Sequence, residues 1–399
     1  MAYLSRLRLI NFRNFADLEL DLPPGVVVIT GANAQGKTTL LEAAYLLAIA
    51  RSFRAENERE VISFRAGLNG EQALVRGIVE KQGRRLSVNV GYQSTASPGS
   101  DPSIADGLGY SVRKQIRVNR TRYTAADLVG MVGAVLFCAD DIELVYGGPS
   151  GRRRYLDILI SQADPPYIKA LQRYQRVLQQ RNHLLKMLRE GRAEADELEF
   201  WNTELVREGS GITWQRQEVM KRLAIFGAEH HSQLRERGSD FQMEYRPNVV
   251  GGDSRSSTEE RFRESLAAFH QRESAMATTV VGPHRDDFRL LVDGLDMGTF
   301  ASRGEARTLA LTLRLSEASY LSASRNDEPV VLLDDVLSEM DANRRRRVLE
   351  KVTHYQQSLI TTTDLELVRD YLGDEATYFT VADGQVLPYA KENPVQETG

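Results

Sequence analysis

Cysteine is almost missing: Cys138 is the one thiol in 399 residues. Neither an internal disulfide nor a thiolate metal cluster can be built from it, so the chain suits a reducing compartment and a cytoplasmic location is expected. Long apolar runs are also lacking. The longest, Ala43 to Ala50, falls far short of the ~18 residues of a membrane-spanning helix, and no membrane association is expected. Arg6, Arg8 and Arg13 interrupt the apolar residues of the N-terminus, where a secretory signal needs an unbroken apolar segment, so export is not expected. Neither sign of charge is in excess. With 51 basic and 55 acidic residues the formal charge is -4, so any nucleic-acid binding needs a local basic surface. At 42% hydrophobic and 27% charged the composition excludes the disordered and fibrous classes, and ~150 residues per domain gives two to three domain equivalents.

What is present begins with strands. Leu18, Leu20 and Leu22 alternate with Asp17, Glu19 and Asp21, the pattern of a half-buried strand. Val26-Val27-Val28-Ile29 is uniformly apolar and β-branched, as in a parallel sheet covered on both faces. It runs into Gly31-Ala32-Asn33-Ala34-Gln35-Gly36-Lys37-Thr38-Thr39, and Leu40, Leu41, Ala44, Tyr45, Leu47 and Ala48 then repeat at helical spacing. A G-x-x-x-x-G-K-[ST] loop between a buried strand and a helix is the context in which backbone N–H groups cradle a nucleotide phosphate. Gly31 to Thr39 are therefore the candidate ATP-binding residues. Lys37 is expected to neutralise the β and γ phosphates, and the Thr38 hydroxyl to ligate Mg²⁺. A glycine turn without ligand is the lesser reading.

Val330-Val331-Leu332-Leu333-Asp334-Asp335 is a second apolar strand, ending in two acids. Asp334 is the expected Mg²⁺ ligand and Asp335 the expected catalytic base beside Lys37, although a capped strand end explains this pattern alone. The two motifs are 297 residues apart, from Lys37 to Asp334, so other structure must be inserted within one nucleotide-binding head. From about Asp164, Gln, Arg, Glu and Leu dominate. Leu171, Tyr174, Leu178, Leu185 and Leu188 form one helical stripe, and Leu198, Leu205, Ile212, Val219 and Phe226 recur every seventh residue. An antiparallel hairpin turning at Glu190 to Glu194 is expected, either as a short arm or as part of a bundle. Asn248 to Glu260, without periodicity, reads as a mobile loop. The expected organisation is an α/β head, residues 1–150 and 276–399, around an inserted α-helical domain, residues 151–275.

Ser302 and Glu305 satisfy the S-x-x-E capping box of a helix beginning near Ala306, which explains them locally. Gly304 is left over. A glycine there exposes N–H groups to an anion, so Ser302 and Gly304 are candidates to receive the γ-phosphate of a second subunit. Three basic clusters are candidate DNA contacts: Arg113, Lys114 and Arg117, continuing to Arg120 and Arg122 between Tyr110 and Tyr123; Arg152, Arg153 and Arg154; and Arg344 to Arg347. The ordinary reading of the last two is a solvated helix face. His284 lacks metal-ligand neighbours and reads as structural, and Asp286-Asp287 as turn and strand-edge residues.

Phosphate loop, signature segment and paired acids, in this order around a helical insertion, resemble the ABC-type ATPase heads of the SMC group, with an insertion too short for SMC arms. The chain more closely resembles the RecF family of recombination and repair ATPases, from Tyr3 to about Leu387. The blocks that carry the likeness are Asn11-Phe12-Arg13-Asn14-Phe15, Asp140 to Pro149 running into Arg152 to Asp157, and Gly282 to Asp287. The resemblance implies a P-loop ABC-type head with an inserted α-helical arm domain, and an ATP-dependent homodimer on single-stranded, gapped or junction DNA. It also implies RecR and RecO as partners, and roles in RecA loading, replication restart and SOS induction. Ser338-Glu339-Met340-Asp341 is similar to the loop that crosses the dimer interface. Asp335 stands where transporter ABC proteins carry glutamate, and Thr361 to Asp364 where they carry a switch histidine, which implies slow, DNA-stimulated hydrolysis. The competing reading is a soluble ABC ATPase subunit or P-loop enzyme acting on a non-DNA substrate.

Overall fold

A computed structural model of the chain describes residues 2–96, 110–235, 239–325 and 327–389. Its strands are β1 (Ala2–Phe12), β2 (Phe15–Asp21), β3 (Gly25–Thr30), β4 (Gln72–Lys81), β5 (Arg84–Ala96), β6 (Tyr110–Val118), β7 (Thr121–Tyr123) and β8 (Ala134–Cys138), followed by β9 (Phe241–Arg246), β10 (Asp287–Val292), β11 (Leu295–Asp296), β12 (Val330–Asp334), β13 (Gln357–Thr362), β14 (Thr377–Ala382) and β15 (Gln385–Pro388). The chain divides into two compact units, Met1–Ala139 with Asp327–Gly399, and Asp140–Asn326.

The first unit holds two six-stranded sheets. One is antiparallel, in the order β2-β1-β4-β5-β6-β7. Its strands alternate as period-two patterning requires, with Leu7, Leu9, Val75, Val88 and Val90 on the buried face and polar residues opposite. The other, β15-β14-β3-β13-β12-β8, is parallel apart from β15. Val27, Val28, Val331, Leu332 and Leu333 are fully buried there, as a sheet covered on both faces demands. The helix Lys37–Ile49 buries every residue but Thr38, so its apolar residues have no free side. At Gly77 a Cβ would lie 2.4 Å from a Leu47 methyl, so a larger residue there would displace the Leu47 side chain. Gln357 joins the sheets: its buried amide pairs with the Leu4 backbone through N–H···O bonds of 2.8 and 2.9 Å and donates to the Pro23 carbonyl.

In the second unit, helices Pro149–Ala163, Pro165–Arg189, Glu197–Leu234, Arg255–Met276 and Arg303–Arg325 accompany the antiparallel sheet β11-β10-β9. The hairpin expected from the leucine stripes is present. Arg173 bonds Glu208 while Arg181 bonds Asn202, numbers that rise on one helix as they fall on the other, so the pair is antiparallel. Leu198, Leu205, Ile212 and Val219 are buried as their spacing requires. Because Glu197–Leu234 also packs against Arg255–Met276 and Arg303–Arg325, the hairpin belongs to a bundle and is not a free arm.

Two expectations need correction. Asn248 to Glu260 is not a loop throughout: a helix begins at Arg255, where the Ser254 hydroxyl accepts from the Ser257 N–H and the Ser257 hydroxyl from the Ser254 N–H. A capping box with serine in place of glutamate at its third position gave no periodic warning. The division by packing also differs from boundaries at 150 and 275. The segment 276–326 associates with the helices, because β10 pairs with β9 and Arg303–Arg325 packs along Glu197–Leu234.

Candidate nucleotide site

The phosphate loop joins β3 to the helix Lys37–Ile49 and is held on both flanks. At Gly31 (φ +149°) a Cβ would sit 2.4 Å from the Val381 carbonyl oxygen, and at Gly36 (φ +115°) one would sit 2.5 Å from the Asn14 amide. Both positions therefore need glycine for conformation and for space. The Asn14 amide donates to the Gln35 carbonyl at 2.8 Å, and the Gln35 side chain accepts from the Asp383 N–H at 2.8 Å. Lys37 folds back over the loop, its ammonium donating to the Gly31 and Ala32 carbonyls at 2.7 and 2.9 Å. Burial lowers its pKa, opposed by the charges of Asp335 and Asp334. An anion beside Lys37 would relieve that desolvation.

The sheet order β3-β13-β12 brings the acids to the loop. Thr38 Oγ1 donates to Asp334 Oδ1 at 2.8 Å, and the Thr361 hydroxyl donates to the same oxygen at 3.0 Å. Burial raises the Asp334 pKa against these hydrogen bonds. A hydroxyl and a carboxylate on one point fit Mg²⁺, a hard cation that completes its shell with water and phosphate and so needs few protein oxygens. Asp335 follows in a left-handed conformation (φ +52°). Its N–H donates to the Thr361 hydroxyl, while its Oδ1 is buried without a hydrogen-bond partner among the described residues. That strained residue with a spare acceptor beside the loop can take a proton from a water molecule.

A cleft of 650 Å³ contains Lys37, Thr38, Asp334 and Asp335 and extends to Arg13, Arg54, Arg59 and Phe64. Of this second half, sequence reasoning singled out only Arg13, within the Asn11 to Phe15 block, and gave it no place at the site. Its anchor is Glu42, fully buried on the phosphate-loop helix, which takes a bidentate contact from Arg13 (3.0 and 2.7 Å) and a 2.5 Å bond from the Ser52 hydroxyl. Arg13 also reaches the Glu60 carbonyl at 2.8 Å. The Asn11 to Phe15 block is thus a brace: Phe12 and Phe15 are buried, and Arg13 and Asn14 lock the turn to the helix and the loop.

Ser302 and Gly304 lie in the second unit. Ser302 is exposed and forms the expected capping box, donating through its N–H and hydroxyl to Glu305 at 3.0 and 2.9 Å. These bonds, the backbone one foremost, lower the Glu305 pKa. The Tyr146 hydroxyl fixes the Ala301 carbonyl at 2.7 Å, and Phe300 beside it is 64% exposed. His284 is structural as expected: its ring nitrogens meet the Tyr174 hydroxyl and the Thr279 carbonyl, and burial lowers its pKa to about 4. Asp286 proves more than a turn residue. It is buried and paired with Arg216, and it accepts from the Tyr245 hydroxyl and the Asn248 N–H.

The basic clusters separate. Arg152 pairs with Asp287 at 2.7 Å and donates to the Gly147 carbonyl, and Arg153 donates to the Asp286 carbonyl. Arg153 is half-exposed and meets a backbone carbonyl, whereas the Arg152 guanidinium is committed to its own unit. Lys114 is likewise held, by Glu58 and the Ala50 carbonyl. Arg345 holds the Leu337 and Met340 carbonyls, and Arg344 pairs with Asp341. Arg113 and Arg117 are exposed. The Tyr110 side chain lies outside the described residues. No helix among the described residues is long and apolar enough to cross a membrane.

The family described as RecF/RecN/SMC N terminal domain matches residues 3–384. The DNA replication and repair protein RecF of Herpetosiphon aurantiacus is 38% identical over 396 residues, spanning 97% of this chain and 100% of that protein. Its counterpart in Chloroflexus aurantiacus is 37% identical, covering 96% and 99%. Among solved structures, the recombination mediator protein RecF-ATP in the RecFOR pathway superimposes with a TM-score of 0.85 at 32% identity, covering 98% of both chains. An Smc head domain from Pyrococcus furiosus aligns with a TM-score of 0.54 at 14% identity, which speaks for the fold alone.

Proposed function

The chain belongs to the RecF family of DNA replication and repair proteins, and on that footing we propose that it is an ATP-dependent DNA-binding switch of recombinational repair and replication restart. The observation that carries the reading is the Thr38–Asp334 contact of 2.8 Å beside a Lys37 folded onto its own glycine loop. ATP would take the loop N–H groups and Lys37, and Mg²⁺ the Thr38 and Asp334 oxygens, with Asp335 orienting the attacking water. Ser302 and Gly304 of a second copy would complete the pocket at the γ-phosphate. ATP then favours the closed dimer by contacting it better than it contacts separate monomers. Without a switch histidine, and with the shorter carboxylate of Asp335, hydrolysis is slow and times release, with DNA stimulating it. By family, RecR and RecO are the partners, RecA loading on single-stranded or gapped DNA and SOS induction the tasks, and the cytoplasm the location.

Filter binding of the full chain to gapped duplex at two salt concentrations, with and without ATP and Mg²⁺, tests this. ATP-dependent retention that Lys37→Ala abolishes is expected. Retention indifferent to ATP, or none at either salt, contradicts the reading.

A further inference from the structure

The outer face of the antiparallel sheet carries a row of arginines that the nucleotide chemistry does not use. Strand register places Arg8, Arg76, Asn89, Arg117 and Arg122 side by side on β1, β4, β5, β6 and β7. At ~4.8 Å per strand the row spans about 19 Å. Arg8 lies 3.6 Å from Asp17 and 3.8 Å from Glu19, so the acidic edge strand balances that end. Arg76, Arg113, Arg117, Arg120 and Arg122 are exposed, and none forms an ion pair among the described residues. Arg76 instead donates to the Asn89 amide oxygen at 2.5 Å.

Of these, Arg76, Arg117 and Arg120 border a shallow cleft of 910 Å³ with no carboxylate among its described lining residues. Gln72, Gln93 and Gln115 supply amides there, and Gly91 leaves the floor bare. The one aromatic in the lining, Tyr92, is 2% exposed. Guanidinium and amide donors with no accessible ring among the described lining residues suit phosphate and sugar oxygens. It does not suit unpaired bases, whose binding draws on aromatic stacking.

We propose that this sheet face binds the sugar-phosphate backbone of duplex DNA through Arg76, Arg113, Arg117, Arg120 and Arg122, with the glutamines fixing register. Lys114, on the opposite face of β6, and Arg152, paired with Asp287, take no part. The inference rests on the DNA-binding reading above and adds to it the surface and the duplex preference.

Fluorescence anisotropy of the full chain tests it, using a labelled duplex and a single strand of equal length across a salt series. A variant with Arg76→Ser, Arg117→Ser and Arg122→Ser together is compared with Arg263→Ser, which removes an exposed charge on the helix Arg255–Met276. With each phosphate contact adding about 0.9 to the slope of log affinity against log salt, the triple variant is expected to flatten it by about 2 to 3. Duplex affinity falls more than tenfold, while ATP affinity and the slope of Arg263→Ser hold. Unchanged duplex affinity in the triple variant, or a single strand bound as tightly as duplex and lost in parallel, overturns the proposal alone. A parent chain that binds no DNA in any nucleotide state overturns the underlying reading with it.

Discussion

Glu42 shows how far one residue controls the site. It is fully buried and answers Arg13, which is itself mostly buried. Removing one partner of such a pair strands the other charge, at a cost of about 3 to 5 kcal/mol. Glu42→Ala is expected to lower the unfolding free energy measured in urea by that amount, and to weaken ATP binding because Asn14, on the same turn, holds the Gln35 carbonyl. A change below about 1 kcal/mol in denaturation would show that water replaces the pair. Asp335→Asn tests the catalytic side: ATP affinity is expected to hold within a few fold while phosphate release stops. Lys37 and Thr38 were legible from the spacing of the glycine loop, and the two acids from the apolar strand they end, which the Thr38–Asp334 contact brings to that loop. Glu42 was not, since one acid among the apolar residues of Lys37–Ile49 has no pattern of its own, and its partner lies on another strand turn.

At the scale of elements, one side chain bridges the two sheets of the first unit. Gln357→Leu would leave the Leu4 N–H and carbonyl and the Pro23 carbonyl without their partner in a buried seam. With ~1 to 3 kcal/mol for each unsatisfied group, an expected loss of about 3 kcal/mol is read from the denaturation midpoint, and Gln357→Glu does not restore it. Elements with a strong period were legible: the β3 run, the leucine stripes of the hairpin and the β12 strand all form as their patterns require. The helix Arg255–Met276 was not, because its first turn is rich in serine and charge and its burial is limited to positions such as Phe262 and Leu266. The sheet-face arginines escaped as a row for a different reason. Sequence shows Arg113 and Arg117 in alternation, but register alone sets Arg76 and Arg122 beside them.

For the whole molecule, stability should depend on acid through the second unit. Burial lowers the pKa of His231 and of His284 to about 4, whereas an unfolded histidine titrates near ~6.5. Between these values the unfolded chain binds more protons, so stability is full above about 6.5 and is lost as pH falls toward 4. The urea midpoint is therefore expected to be lower at pH 5 than at pH 7, and His231→Gln to narrow that gap; an equal gap in parent and variant would exclude this histidine as a source.

Light scattering of the full chain with ATP and Mg²⁺, parent against Ser302→Arg, tests the shared pocket most directly. The variant loses a helix cap worth about 1 kcal/mol, so its fold and ATP affinity are checked in the same samples. The account predicts a parent that doubles in mass with ATP and a folded, ATP-binding variant that stays monomeric. A variant that dimerises with ATP as readily as the parent would contradict it.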